Sequence, residues 1–165
     1  FIFLVWRTKI AAIFLNAAIS IGLVYTAIVL MSGSIWGKPT WGTYWVWDAR
    51  ITSTFILLIQ YIGLVALRSS FNSRQTADQI LSIVAIIGAV NIPIIKFSVN
   101  WWNTLHQNAS ITTSGSAIDS EMLIALPMML VSLLFMSFHI FARNIQYEIL
   151  NRTGKTAMMR EIING

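Results

Sequence analysis

Apolar residues come in long unbroken runs, and polar ones are confined mainly to the connectors between them. Four runs stand out: Ile10 to Met31, Ile51 to Leu67, Ile80 to Val99 and Met122 to Ala142. Each approaches the roughly 20 residues that carry an α-helix across about 30 Å of hydrocarbon. None alternates apolar with polar positions, and a helix satisfies its own backbone inside lipid. The second run is a little short, and the third contains Pro93 and Lys96. A proline there removes a backbone donor and kinks the helix. Residues 1–6, FIFLVW, begin at Phe1 inside an apolar segment with no basic stretch ahead of them. They read as the last turns of an earlier transmembrane helix, not as a signal peptide. The pattern predicts an all-α fold, a polytopic transmembrane helix bundle forming a single membrane domain over residues 1–165. It has four full spans and the end of a fifth. Residues 143–165 are polar and mixed in charge, which predicts a short cytoplasmic helix or a frayed tail.

Composition agrees with lipid as the solvent. Hydrophobic residues make up 56% of the chain and charged ones 10%, against about 25% charged in soluble domains. There is no cysteine, so disulfides, thiolate metal sites and a catalytic thiol are excluded. There is no Walker motif for ATP hydrolysis. The net charge of +5 reports topology here and not nucleic-acid binding. Arg7, Lys9, Arg68, Arg74, Arg143, Arg152, Lys155 and Arg160 fall on one side of the predicted bundle, with Lys38, Arg50 and Lys96 at or near the other. Asp48, Asp119 and Glu121 balance Asp78, Glu148 and Glu161, so only the basic residues are biased. The positive-inside rule makes the first group cytoplasmic. The connectors 32–50 and 100–121 then share the outer face.

The first outer connector holds WGKPTWGTYWVWDAR, Trp36 to Arg50. Gly37, Pro39 and Gly42 interrupt helix there. If residues 41–48 are helical, Trp41, Tyr44, Trp45 and Asp48 share one face. That face is a π-rich shelf suited to a large planar apolar ligand at the membrane surface. An aromatic belt at headgroup level is the simpler explanation for any one tryptophan, though a belt needs neither this density nor a Gly-Lys-Pro turn. The second outer connector reads SVNWWNTLHQNAS, with Trp101 and Trp102 ahead of His106. Imidazole is a common haem-iron ligand, and a lone loop histidine is otherwise simply solvated. Trp102 and His106 are four apart and share a face if helical. His139, near the cytoplasmic end of the fourth run, is on the wrong side for this site and reads as packing. Lys38, Arg50 and Lys96 suit the carboxylates of a ligand, Asp48 or lipid phosphate equally well. The Asn-Ala-Ser triplet at Asn108 fits a glycosylation sequon but is too common to weigh.

The stretch WGKPTWGTYWVWDAR resembles the tryptophan-rich WWD signature of haem-handling membrane proteins. GSIWGKPTWGTYWVWDARITS together with NIPIIKFSVNWWNTLHQ is similar to the haem exporter C family of cytochrome c maturation (CcmC), and the resemblance covers essentially the whole chain. It implies a six-helix membrane protein with the WWD segment on the periplasmic side of the bacterial inner membrane, in preference to the mitochondrial one. It implies that haem b, bound transiently as cargo, is presented to the haem chaperone CcmE. The implied partners are the ATP-driven CcmA–CcmB pair, the small protein CcmD and membrane lipid, with no nucleic acid. Trp36, Trp41, Trp45, Trp47 and Asp48 match the signature, and His106 matches the second of two outer histidines that serve as axial haem ligands. The first of these is expected upstream of Phe1, ahead of the helix ending in FIFLVW, and so outside this sequence. The chain therefore corresponds to roughly the last two-thirds of a family protein.

The leading expectation is a haem-binding membrane chaperone or transporter subunit, not a bond-making enzyme. The shelf stacks on the porphyrin, with Trp101 and Trp102 alongside, His106 takes one axial position, and Lys38 and Arg50 neutralise propionates. A b-type electron-transfer subunit is the first alternative, although such proteins pair histidines inside the bundle. A haem permease is another, with few polar residues (Asn16, Gln60, Asn91, Lys96) to line a path. A purely structural assembly subunit is the third.

Overall fold

The computed structural model describes residues 1–71, 73–106, 110–112, 115–116 and 118–164, with only the backbone described from 155 onward. The sequon at Asn108 and the side chains of Lys155, Arg160 and Glu161 therefore lie outside the described residues. Among the described residues the helices are, in order, α1 (Ile2–Trp6), α2 (Lys9–Trp41), α3 (Ala49–Ser69), α4 (Arg74–Ala89), α5 (Asn91–Trp101) and α6 (Ser120–Asn164). A two-residue antiparallel pair, β1 (Ile111–Thr112) with β2 (Gly115–Ser116), precedes α6. Four helical stretches are long and apolar enough to cross a membrane: Lys9–Trp41, Ala49–Ser69, Arg74–Trp101 and Ser120–Gly154. The fold is an all-α polytopic bundle, as the hydrophobic pattern predicts.

The helix ends differ from the sequence expectation in ways that matter for the site. Gly37 and Pro39 do not stop α2, which runs on to Trp41 with Pro39 in its last turn. The stop is Gly42, left-handed at φ 78, whose N–H bonds the Lys38 carbonyl. Glycine alone takes this conformation without a Cβ penalty. Asp48 is extended and caps α3, its side chain accepting from the Ile51 N–H at 2.8 Å. Residues 42–48 are therefore not helical. The shared face expected for Trp41, Tyr44, Trp45 and Asp48 does not form.

The third span is kinked, as expected, at Val90, which keeps helical dihedrals at φ −62, ψ −27 between two helical segments. Pro93 would collide with the carbonyl four residues back, that of Ala89, and α4 ends there. α5 restarts at Asn91, whose side-chain amide donates to the Ser53 carbonyl of α3 at 2.8 Å. α5 ends at Trp101, and Trp102 is extended at φ −130, ψ 155, so Trp102 and His106 share no helical turn. Residues 143–164 continue α6 without a break instead of forming a separate tail helix. At the other terminus Phe1 is the N-cap of α1, and its carbonyl accepts the Leu4 N–H at 2.9 Å. α1 ends at Arg7, which is left-handed at φ 52, and α2 starts afresh at Lys9.

α3 sits centrally. It packs against α2, α4 and α5, while α2 also meets α4 and α6. α6 is held by Phe14 against Phe141, by the Asn144 amide on the Ala17 carbonyl, and by Tyr25 Oη to Ser137 Oγ at 2.7 Å. The apolar core is small, with Ile19, Leu64 and Leu81 surrounded by Leu15, Tyr61, Leu67 and Val84. At one end of the bundle, Arg152 bonds both oxygens of Asp78 at 3.0 Å and Glu148 at 2.8 Å. Arg68 also pairs with Glu148, and Asn16 donates to Asp78 at 2.9 Å. This network ties α2, α3, α4 and α6 together at the arginine-rich end. Among the described residues no Cα of α2 comes within 8 Å of a Cα of α5.

Candidate functional site

The gap between α2 and α5 is a cleft of about 690 Å³. Its floor is one face of α3, formed by Arg50, Ile51, Thr54 and Leu57. One wall is the Thr26, Val29, Leu30 and Gly33 face of α2, at the i, i+3, i+4, i+7 spacing that places residues together. The other is Ile92, Ile95 and Lys96 of α5. Trp41, Trp45 and His106 close the top. Thr26 to Trp41 spans about 22 Å of helix at 1.5 Å per residue, so the cleft runs along nearly half of α2. A void of this size and apolar lining is in the range that holds a small organic molecule, roughly 300–1,000 Å³.

His106 is not free to turn. Its Nδ1 lies 2.7 Å from Asp48 Oδ2, and its ring meets Trp41 edge-on at 4.6 Å. An ionised carboxylate only accepts, so in the neutral ring Nδ1 carries the proton and Nε2 keeps its lone pair. Nε2 makes no hydrogen bond among the described residues. The backbone at His106 is fixed as well, by its N–H on Thr104 Oγ1 at 2.8 Å. This is the state in which an imidazole coordinates a metal.

Two cations line the same cleft, Arg50 on the floor and Lys96 on the wall. Neither has a carboxylate within ion-pair distance among the described residues, in contrast to the paired arginines at the far end. Trp45 Nε1 is buried without a hydrogen-bond partner among the described residues. Leaving such a donor unmet costs about 1–3 kcal/mol. The chemistry on offer is thus an apolar enclosure, one imidazole nitrogen with a lone pair in the neutral ring, and positive charge for one or more anionic groups.

Comparison with known proteins bears on what this cleft serves. A family model described as "Heme exporter protein C" (CcmC) matches residues 1–160. The chain belongs to this family. A relative named Heme exporter protein C from Bradyrhizobium diazoefficiens is 44% identical over 161 residues, covering 96% of this chain and 60% of the relative. One of the same name from Escherichia coli K12 is 50% identical over 122 residues, 74% of this chain and 49% of the relative. A third, from Haemophilus influenzae, is 41% identical over 162 residues, 96% and 65%. The chain spans about half to two-thirds of the length of these CcmC relatives.

The residues singled out from the sequence divide into two groups. Trp36, Trp41, Trp45, Arg50 and His106 line the cleft, and Asp48 reaches it through His106. Trp36 and Trp41 meet edge-on at 5.3 Å. Trp41 folds back over Gly37, where an added Cβ would come within 3.1 Å of its ring. Lys38, Tyr44, Trp47, Trp101 and Trp102 stand outside. Lys38 Nζ bonds the Gly42 carbonyl at 3.0 Å and lies 5.3 Å over the exposed Tyr44 ring. Trp47 is exposed and abuts Trp45 and Phe55. Trp101 stacks on Phe97, and Trp102 meets Trp101 edge-on. His139 is exposed on α6 and does not line the cleft. Phe1, upstream of which the second axial histidine is expected, is not part of the site either. It is exposed and borders a separate hollow with Ile10, Phe14 and Ile86, formed where α1 meets α2 and α4. Lys96, one of the three outer cations considered from the sequence, also lines the cleft, as do Tyr25, Thr26 and Thr54, which the sequence did not single out. In this CcmC-family chain the tryptophans thus form a lid and an outer rim, not one continuous shelf.

Proposed function

We propose that this chain is the haem-holding part of a membrane protein that passes haem to c-type cytochrome assembly. One observation carries the proposal. A single imidazole, locked by Asp48 and Trp41, stands at the aromatic top of an apolar cleft that also holds two cations with no carboxylate partner among the described residues. Haem matches each feature, being planar and apolar, needing a nitrogen ligand for iron and carrying two carboxylates. In this reading His106 takes one axial position, and Trp36, Trp41 and Trp45 cover the ring. Arg50 and Lys96 meet the propionates, with Lys38 at the rim. The family resemblance implies that a second outer histidine takes the other position. It lies upstream of Phe1, in the part of the relatives that this chain does not span. The cargo is haem b, held at the periplasmic side of the bacterial inner membrane. CcmE receives it over the exposed rim of Tyr44, Trp47, Trp101 and Trp102, and CcmA–CcmB and CcmD act with it. The excess of basic residues at the opposite end supports this orientation.

The test is His106→Ala in the full-length protein. The Soret absorbance of co-purified haem should be lost, and covalent loading of CcmE with it. Unchanged absorbance and loading would remove His106 from the site.

A further inference from the structure

We infer that Asp48 is a positioning residue for His106, presenting Nε2 to the iron and, as an anion, strengthening its donation so that ferric haem is favoured over ferrous. This rests on the haem-binding reading above, and it adds a role for the aspartate that the tryptophan-rich signature alone does not define.

The two oxygens of Asp48 have separate tasks. Oδ1 accepts the Ile51 N–H at 2.8 Å and caps α3, while Oδ2 holds His106 Nδ1 at 2.7 Å. The Asp48 backbone carbonyl accepts the Thr52 N–H at 2.9 Å. The carboxylate is therefore fixed by the first turn of a membrane-spanning helix, and the imidazole inherits that rigidity. The Asp48 side chain is only 5% exposed, so water screens its charge little. Residues 58 positions apart are joined by this one bond. A metal-bound imidazole that gives its other N–H to a carboxylate is a stronger donor with a fixed orientation, and loss of such a partner typically weakens metal affinity about 10- to 100-fold. An anionic partner stabilises the more highly charged ferric state.

The competing explanation is that Asp48 is a helix cap and nothing more. Asn and Ser cap a helix about as well as Asp. Asp48→Asn and Asp48→Ser therefore keep the cap and remove the anion. Purified full-length protein would be titrated with iron protoporphyrin IX, and its midpoint potential measured by spectroelectrochemistry. Both variants should bind ferric haem about 10- to 100-fold more weakly. The midpoint should rise by at least about 59 mV, the one-electron equivalent of a tenfold change in relative affinity. His106→Ala is run alongside. If it abolishes the Soret band while both Asp48 variants keep native affinity and potential, the inference is overturned and the haem-binding reading stands. If His106→Ala itself changes nothing, both are overturned. Should one Asp48 variant fail to accumulate in the membrane, the other decides by the same criterion.

Discussion

Gly22 of α2 faces Tyr61 of α3 at the most extensive helix contact of the bundle. A Cβ there would lie 2.3 Å from two ring carbons and 2.5 Å from the hydroxyl oxygen. Ordinary contact begins near 3.4 Å, so Gly22→Ala forces the ring back by about 1.1 Å. Tyr61 packs against the Ile19, Leu64 and Leu81 core, so the ring cannot simply swing away. Overpacking of this kind costs about 1–3 kcal/mol. Alanine regains up to about 1 kcal/mol of helix propensity over glycine. The clash should win, leaving a net loss of up to about 2 kcal/mol. Gly63 of α3 is the matched control, because a Cβ there meets nothing within 4 Å. Gly63→Ala should be neutral or stabilising by up to about 1 kcal/mol. Denaturant unfolding in detergent micelles, followed by far-UV circular dichroism, gives both values. Equal stability for the two variants would refute the close α2–α3 packing on which one wall of the cleft depends.

At the arginine-rich end, Arg152→Met should cost about 3 kcal/mol, the lower end of the range for breaking a buried ion pair, because Asn16 and Arg68 still serve the two carboxylates. The double variant Arg152→Met/Asp78→Leu should recover most of that loss in the same unfolding assay, with the haem spectrum unchanged throughout. In the cleft, Arg50→Gln and Lys96→Gln should each weaken haem binding about tenfold, from loss of a charge-assisted contact. The dimethyl ester of haem should bind both variants and the native protein alike, and an equal drop with the ester would refute propionate recognition.

The membrane spans were legible because lipid imposes length and uniform polarity on a helix, and both are written locally. The bias of basic residues brought Trp36 to Asp48 near His106, and the bundle makes the contact at atomic distance. Local chemistry was harder to weigh. Gly42, not Gly37 or Pro39, ends α2, because only at 42 does the backbone turn left-handed. Asp48 just ahead of an apolar run is a capping signal. Reading it so would have placed residues 42–48 outside a helix. The Asp48–His106 bond joins two connectors and has no periodicity to betray it. Lys96 was visible as an intramembrane cation, but only the separation of α2 from α5 makes it part of the cleft.

That separation, together with the kink at Val90, leaves the cleft-facing side of α5 to be met by a guest and not by α2. The helix packs on α3, to which Asn91 also bonds, no Cα of α2 comes within 8 Å of it among the described residues, and His106 follows five residues beyond its last residue. Eleven residues make an arm of about 16 Å, so a tilt of about 4° moves the tip by about 1 Å. A displacement of that size is enough to misalign a reacting or coordinating group. Cleft width and the placement of the imidazole are thus set by one short helix, and α3 anchors both, through Asn91 at one end and Asp48 at the other.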